Sequence, residues 1–178
     1  MTKYVALLRG IRPGNPNMHQ SKLCETLKSL GFSGVRGVIS SGNVIFESQI
    51  TNIKILEAMI EKTWPEQLGF NSTTVVRSQK QLQKLVKANP FGDLVHGSSS
   101  YLLVTFFKNP NKVTYSLPYT PLNKPYKLVA TLDKTLFAVT DNTIVKTTDL
   151  MTWLEKEFGK EITSRTWLTI HRILNKME

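Results

Sequence analysis

Hydrophobic residues in this chain come in short blocks whose period changes repeatedly. Lys3-Tyr4-Val5-Ala6-Leu7-Leu8 is apolar on both faces, the pattern of a strand covered from both sides, and the turn residues of 10–17 close it. Leu23, Leu27 and Leu30 recur at four and three residues and stop at Gly31, which predicts an amphipathic helix. Residues 35–39 and 44–46 are β-prone runs separated by Ser40-Ser41-Gly42-Asn43, a hairpin composition. Ile53, Leu56, Met59 and Ile60 make a second helical stripe, which Pro65 should stop or kink, and 73–76 predicts a fourth strand. Ser78 followed by Gln81 is a capping box opening a third helix, with Leu82, Leu85 and Val86 inward and Asn89-Pro90 at its end.

The order to that point, β-α-β-β-α-β, is that of a ferredoxin-like unit. Residues 89–100, with Pro90, Gly92, Gly97 and three consecutive serines, read as a linker, giving a first half over 1–90 and a second over 99–178. In the second half 101–107 predicts a strand. Residues 109–125 carry four prolines and little periodicity, and 128–132 and 136–139 flank Asp133-Lys134 as a hairpin. Residues 150–158 predict a helix ended by Gly159, then come a short strand at 162–164 and a last helix with Ile170, Ile173 and Leu174 inward. Each half closes with an arginine leading into a helix, Arg77-Ser78 and Arg165-Thr166. Aligning these arginines sets Leu82 against Ile170 and Leu85 against Ile173. The expected fold is therefore α+β, a tandem duplication of ferredoxin-like units, each followed by a helix, the second copy degenerate in its first helix.

Composition narrows the class. Of 178 residues 40% are apolar and 20% charged, ordinary globular usage that excludes wholesale disorder. Residue 24 is the single cysteine, so no intramolecular disulfide can form. The apolar stretch 4–8 is too short for a secretory core, no window reaches the roughly 18 apolar residues that span a bilayer, and the expectation is a cytoplasmic protein away from membranes. The 23 basic against 13 acidic residues give a net charge of +10, a field that attracts nucleic acid or phosphorylated metabolites. The excess is uneven, with 15 basic and 8 acidic residues in 77–178 against 8 and 5 in 1–76.

Five motifs, in order, resemble those of a bacterial family known as domain of unknown function 1697. They are Ala6-Leu7-Leu8-Arg9-Gly10-Ile11, Ser41-Gly42-Asn43-Val44, Val76-Arg77-Ser78, Asn89-Pro90-Phe91 and Thr163-Ser164-Arg165-Thr166-Trp167. The resemblance runs nearly end to end and implies an α+β fold with two ferredoxin-like halves; it implies no activity. The chain departs from the family pattern after Ile11, where Arg12-Pro13-Gly14-Asn15 stands, and at Thr166 and Leu168, where the family has asparagines.

Ferredoxin-like topology puts the end of the first strand beside the start of the third, so Arg9 and Gly10 should meet Ser41, Gly42 and Asn43. A guanidinium, a hydroxyl, an amide and open backbone N–H groups there suit a phosphate or carboxylate, with Arg165 as a further anion ligand; the structural alternative is hairpin geometry alone. Lys80, Lys84 and Lys87, spaced by four and three after Arg77, form one basic helix face that fits nucleic-acid phosphates or simply solvent. Trp167 is a candidate stacking residue or a packing one. The third strand, with one aromatic and Glu47, lacks the pattern of a base-stacking sheet. His19, His96 and His171 are scattered, no Cys-x-x-Cys or His-x-x-x-His spacing occurs, and the glycines of 10–14 complete neither a P-loop nor a dinucleotide fingerprint. No metal or cofactor is therefore expected. The leading expectation is a binding module for an anionic partner, nucleic acid or a phosphorylated small molecule. The alternatives are a small-molecule enzyme with its site between the halves and a protein-interaction module. Neither catalytic residues nor oligomeric state follow from the sequence.

Overall fold

The computed structural model describes residues 1–39, 42–110 and 113–178. Among them are eight strands and five α-helices, a mixed α+β architecture with two four-stranded antiparallel sheets. The chain divides into two compact units, Met1–Gln83 with Arg172–Glu178, and Lys84–His171.

In the first unit β1 (Thr2–Leu8), β2 (Ser33–Gly37), β3 (Asn43–Ser48) and β4 (Thr74–Ser78) stand in the order β2-β3-β1-β4. Alternate residues Tyr4, Ala6 and Leu8 of β1, Val44 and Phe46 of β3 and Val76 of β4 face α1 (Gln20–Ser29) and α2 (Ile53–Leu68). They pack there on Leu23, Leu27, Leu56, Ile60 and Trp64. Val5, Leu7, Ile45 and Val75, on the opposite face, are equally buried, which is why β1 reads as apolar throughout. The hairpin strand β2 begins two residues earlier than its apolar run. It is irregular between Ser33 and Arg36, where Gly34 takes a positive φ of 59°.

Helix α2 does not stop at Pro65. Asn52 caps its start by accepting from Lys54 N at 3.0 Å, and it runs on to Leu68, where Gly69 turns left-handed and donates to Pro65 O. Trp64, fully buried with its indole N–H on Thr74 Oγ1 at 2.9 Å, holds the last turn to the sheet, so packing overrides the proline. The box at α3 (Gln79–Ala88) is reciprocal: Ser78 N donates to Gln81 Oε1 at 2.9 Å and Gln81 N to Ser78 Oγ at 3.2 Å. The last carbonyls of α5 (Trp167–Met177) accept from cationic side chains of the first unit, Met177 O from Lys3 Nζ at 2.6 Å and Lys176 O from Arg36 Nε at 3.1 Å.

In the second unit β5 (Tyr101–Phe107), β6 (Tyr126–Leu132), β7 (Thr135–Thr140) and β8 (Ile162–Thr166) repeat the order as β6-β7-β5-β8. Asp133 and Lys134, both at positive φ, make the two-residue turn between β6 and β7. Leu103, Phe107, Leu128, Leu136, Ala138 and Ile162 face α4 (Thr147–Phe158) through Leu150 and Leu154. Between β5 and β6 no helix forms among the described residues. Tyr119 bridges to Leu128, and Tyr115 stacks on Tyr119 at 4.1 Å.

Candidate functional site

The end of β1 and the start of β3 do meet. Leu8 N donates to Gly42 O at 2.9 Å and Leu7 pairs with Asn43, while Arg9, the next residue, donates its N–H to Thr73 O at 2.9 Å on the other side. Ser41 and its neighbour Ser40 lie outside the described residues. Arg9 is half-buried and Gly10 exposed. Gly42 takes φ 73°, and a Cβ there would stand 2.6 Å from Ile11 Cγ1, so both conformation and space require glycine. Asn43 has no exposed surface. Its Nδ2 donates to Val38 O at 3.0 Å and its carbonyl accepts from Val38 N at 2.9 Å, while Gln20 Nε2 closes on Ile39 O at 2.8 Å. The asparagine amide therefore fastens the hairpin from inside.

The two arginines that lead into helices occupy equivalent places. Arg77 pairs with Val5 of β1 and Arg165 with Val104 of β5, and each donates Nη1 to the carbonyl before it, Val76 O at 2.9 Å and Ser164 O at 2.7 Å. Arg77 is 4% exposed and stands 4.0 Å from Glu57 Oε1, an oxygen that also accepts from Val76 N. Arg165 also donates to Thr163 Oγ1 at 2.8 Å. The residue keeps some exposed surface, but loss of water around its guanidinium pushes the pKa down to about 10, still cationic at neutral pH. Trp167 is half-buried and packs edge-on against Phe91, Phe137 and His171, with ring centroids 5.3, 6.1 and 4.9 Å away. Lys80, Lys84 and Lys87 are exposed along α3, with Lys84 Nζ 2.7 Å from Asp133 Oδ2.

Sequence reasoning passed over a cleft in the second unit, between α4 and residues 123–126. It has a volume of about 600 Å³ and is lined by Lys124, Pro125, Tyr126, Asp149, Trp153 and Lys156 among others. Tyr126 is 3% exposed, its ring 5.7 Å from that of Trp153, and its hydroxyl has no hydrogen-bond partner. Burial, and then the Asp149 carboxylate, push its pKa up. Glu157, which also lines the cleft, accepts from the Tyr115 hydroxyl. The available signal was the run of aromatics at 115, 119 and 126 in a stretch without periodicity.

No group of three or more His, Cys, Asp or Glu able to hold a metal occurs among the described residues, and none of their helices is long and apolar enough to cross a membrane. Burial raises the pKa of the Cys24 thiol.

No curated protein matches the chain. Among solved structures, a conserved bacterial protein from Streptococcus pneumoniae has a similar fold, with TM-score 0.74 and 20% identity over 99% of each chain. The family described as "Protein of unknown function (DUF1697)" matches residues 1–137, from β1 into β7, and the chain belongs to that family.

Proposed function

We propose that the protein is a cytoplasmic binding module for an anionic partner, with nucleic-acid phosphates the partner that its lysine-bearing helix suits. We further propose that it is built from two copies of a ferredoxin-like unit, each followed by a helix. The duplication is supported by the repeated strand order and by the register. Tyr4 pairs with Ser78 as Leu103 pairs with Thr166, and Ser78 and Thr166 each accept from the N–H three residues on, that of Gln81 at 3.2 Å and that of Thr169 at 3.1 Å.

The observation that carries the functional reading is the exposure of Lys80, Lys84 and Lys87 on α3 in a chain of net charge +10. Lys84 makes an exposed pair with Asp133, an interaction of about 0–1 kcal/mol that a phosphate readily displaces. The guanidinium of Arg77 and the amide of Asn43 are engaged internally, which leaves the lysines as the main phosphate contacts. Both faces of the first sheet's central strands are buried and Phe46 has no exposed surface, so base stacking does not contribute there and sequence preference should be slight.

Fluorescence anisotropy with labelled single- and double-stranded oligonucleotides at two salt concentrations tests this. Wild type should bind, and the Lys80/Lys84/Lys87→Ala triple variant should bind more weakly with a salt slope lower by about 2–3, since each phosphate contact adds about 0.7–0.9. Absence of binding at low salt, or an unchanged slope in the triple variant, would reject the lysine face.

A further inference from the structure

The cleft beside α4 has features that neither the basic helix nor the family explains. Tyr126 lines it, a residue 3% exposed whose buried hydroxyl has no hydrogen-bond partner. A buried hydroxyl left unpaired costs about 1–3 kcal/mol, and native proteins keep few of them. In a cavity of about 600 Å³, the size of a small-molecule site, such a group is ready for a polar atom of a ligand. The half-buried Trp153 and Pro125 both line it, flat surfaces against which a planar ring packs well.

The lining holds charges of both signs. Lys124 and Lys156 are exposed and line the cleft, while of the two lining carboxylates Glu157 already accepts from the Tyr115 hydroxyl. That leaves two ammonium groups to meet an anion, and Asp149, near the Tyr126 hydroxyl, as an acceptor for hydroxyl or amino hydrogens.

We propose that this cleft binds a small ligand combining a planar ring with an anionic group, as a nucleoside monophosphate does. The ring lies against Trp153, a ring or sugar polar atom completes Tyr126, and the anionic group sits between Lys124 and Lys156. This goes beyond the nucleic-acid reading and shares with it only the sign of the ligand's charge, since no residue of the α3 face lines the cleft.

The test is isothermal titration of the full chain with each common nucleoside 5′-monophosphate, with the matching nucleosides and inorganic phosphate as separate arms, alongside tryptophan fluorescence. At least one nucleotide should bind at millimolar or tighter affinity and change the fluorescence. Its nucleoside and inorganic phosphate should each bind about tenfold more weakly, because each lacks one half of the contacts. Lys124→Ala/Lys156→Ala should weaken nucleotide binding about tenfold, and Tyr126→Phe several-fold, with unchanged melting temperature in the lysine variant. Trp153→Phe should abolish the fluorescence response, whereas the Lys80/Lys84/Lys87→Ala variant should bind nucleotides as wild type does. The proposal is overturned by absence of binding for every nucleotide, by undiminished binding in the Lys124/Lys156 variant, by phosphate alone matching the nucleotide, or by loss of nucleotide binding in the α3 variant. Because the α3 variant is scored separately with oligonucleotides, either reading can fail while the other stands.

Discussion

Replacing Asn43 by aspartate separates a hairpin fastening from an anion ligand. The side chain has no exposed surface, and its Nδ2 donates to Val38 O at 3.0 Å. Asn43→Asp keeps the shape and removes the donor. The orphaned Val38 carbonyl then costs about 1–3 kcal/mol, and a carboxylate held against it adds the cost of a buried charge, which the protein limits by protonating the group. Together the loss at pH 7 should be about 3–5 kcal/mol, a large part of the usual 5–15 kcal/mol of a folded domain. The protonated carboxyl can donate to Val38 O again, so the folded state raises the new group's pKa above its unfolded value of about 3.9. Stability relative to wild type is therefore best below pH 4. It falls by about 1.4 kcal/mol per pH unit above that, until the folded-state pKa is passed. Urea unfolding of wild type and variant at pH 4, 5, 6 and 7 reads the difference directly. A penalty under about 1 kcal/mol that does not change with pH, accompanied by lost oligonucleotide or nucleotide binding, would refute the argument and make Asn43 a ligand.

Three further outcomes follow from the same geometry. Gly42→Ala should lower the urea midpoint by the equivalent of about 1–3 kcal/mol. Ile11→Ala in the same chain should restore part of the loss by removing the 2.6 Å contact, while the strain of φ 73° stays. Trp64→Phe should cost about 2 kcal/mol, roughly half from the lost bond to Thr74 Oγ1 and half from the space left. Adding Thr74→Val should then cost less than it does in wild type, which a double-mutant cycle measures. His96 accepts from Leu102 N at 3.2 Å through Nδ1 and its pKa is lowered by burial, so protonation breaks that bond. Its contribution to stability is complete above about pH 6.5 and is lost as pH falls through the folded-state value. An NMR titration placing His96 above 6.5 would contradict this.

Period and punctuation carried the fold a long way. β5 occupies the apolar run 101–107, and the Ser78/Gln81 box closes as its residue types require. Pro65 misleads because the force that keeps α2 going comes from Trp64 meeting Thr74, ten residues away across a turn. The site was harder to read. The end of β1 does reach the start of β3, Leu8 at Gly42 and Leu7 at Asn43, because strand order follows from topology. Whether a polar side chain faces out is decided by partners from other elements: Asn43 turns to Val38 across the hairpin, and Arg77 lies near Glu57 of α2. Alternation along β4 gives no warning of this, since Val75, Val76 and Arg77 are all buried. The cleft was invisible for the same reason, being assembled from Tyr126 and Trp153, which no local period connects.

The two units also differ where a ligand could enter. In the first, α1 precedes β2 and lies with α2 over the sheet, and α2 is 16 residues long. In the second, the residues before β6 form no helix among those described, α4 is 12 residues long, and Tyr115 and Tyr119 stack where apolar helical side chains would otherwise be expected. On the duplication proposed above, the residues before β6 hold the place of α1, and the cleft is lined by 123–126 where that strand begins. The segment before β6 instead supplies Lys124 to the lining of the cleft. On these two proposals the ligand chemistry belongs to the second unit. A relative with an amphipathic helix in place of 109–125 should show no nucleotide-dependent change at the tryptophan equivalent to Trp153, and one that did would sever the link between the lost helix and the site.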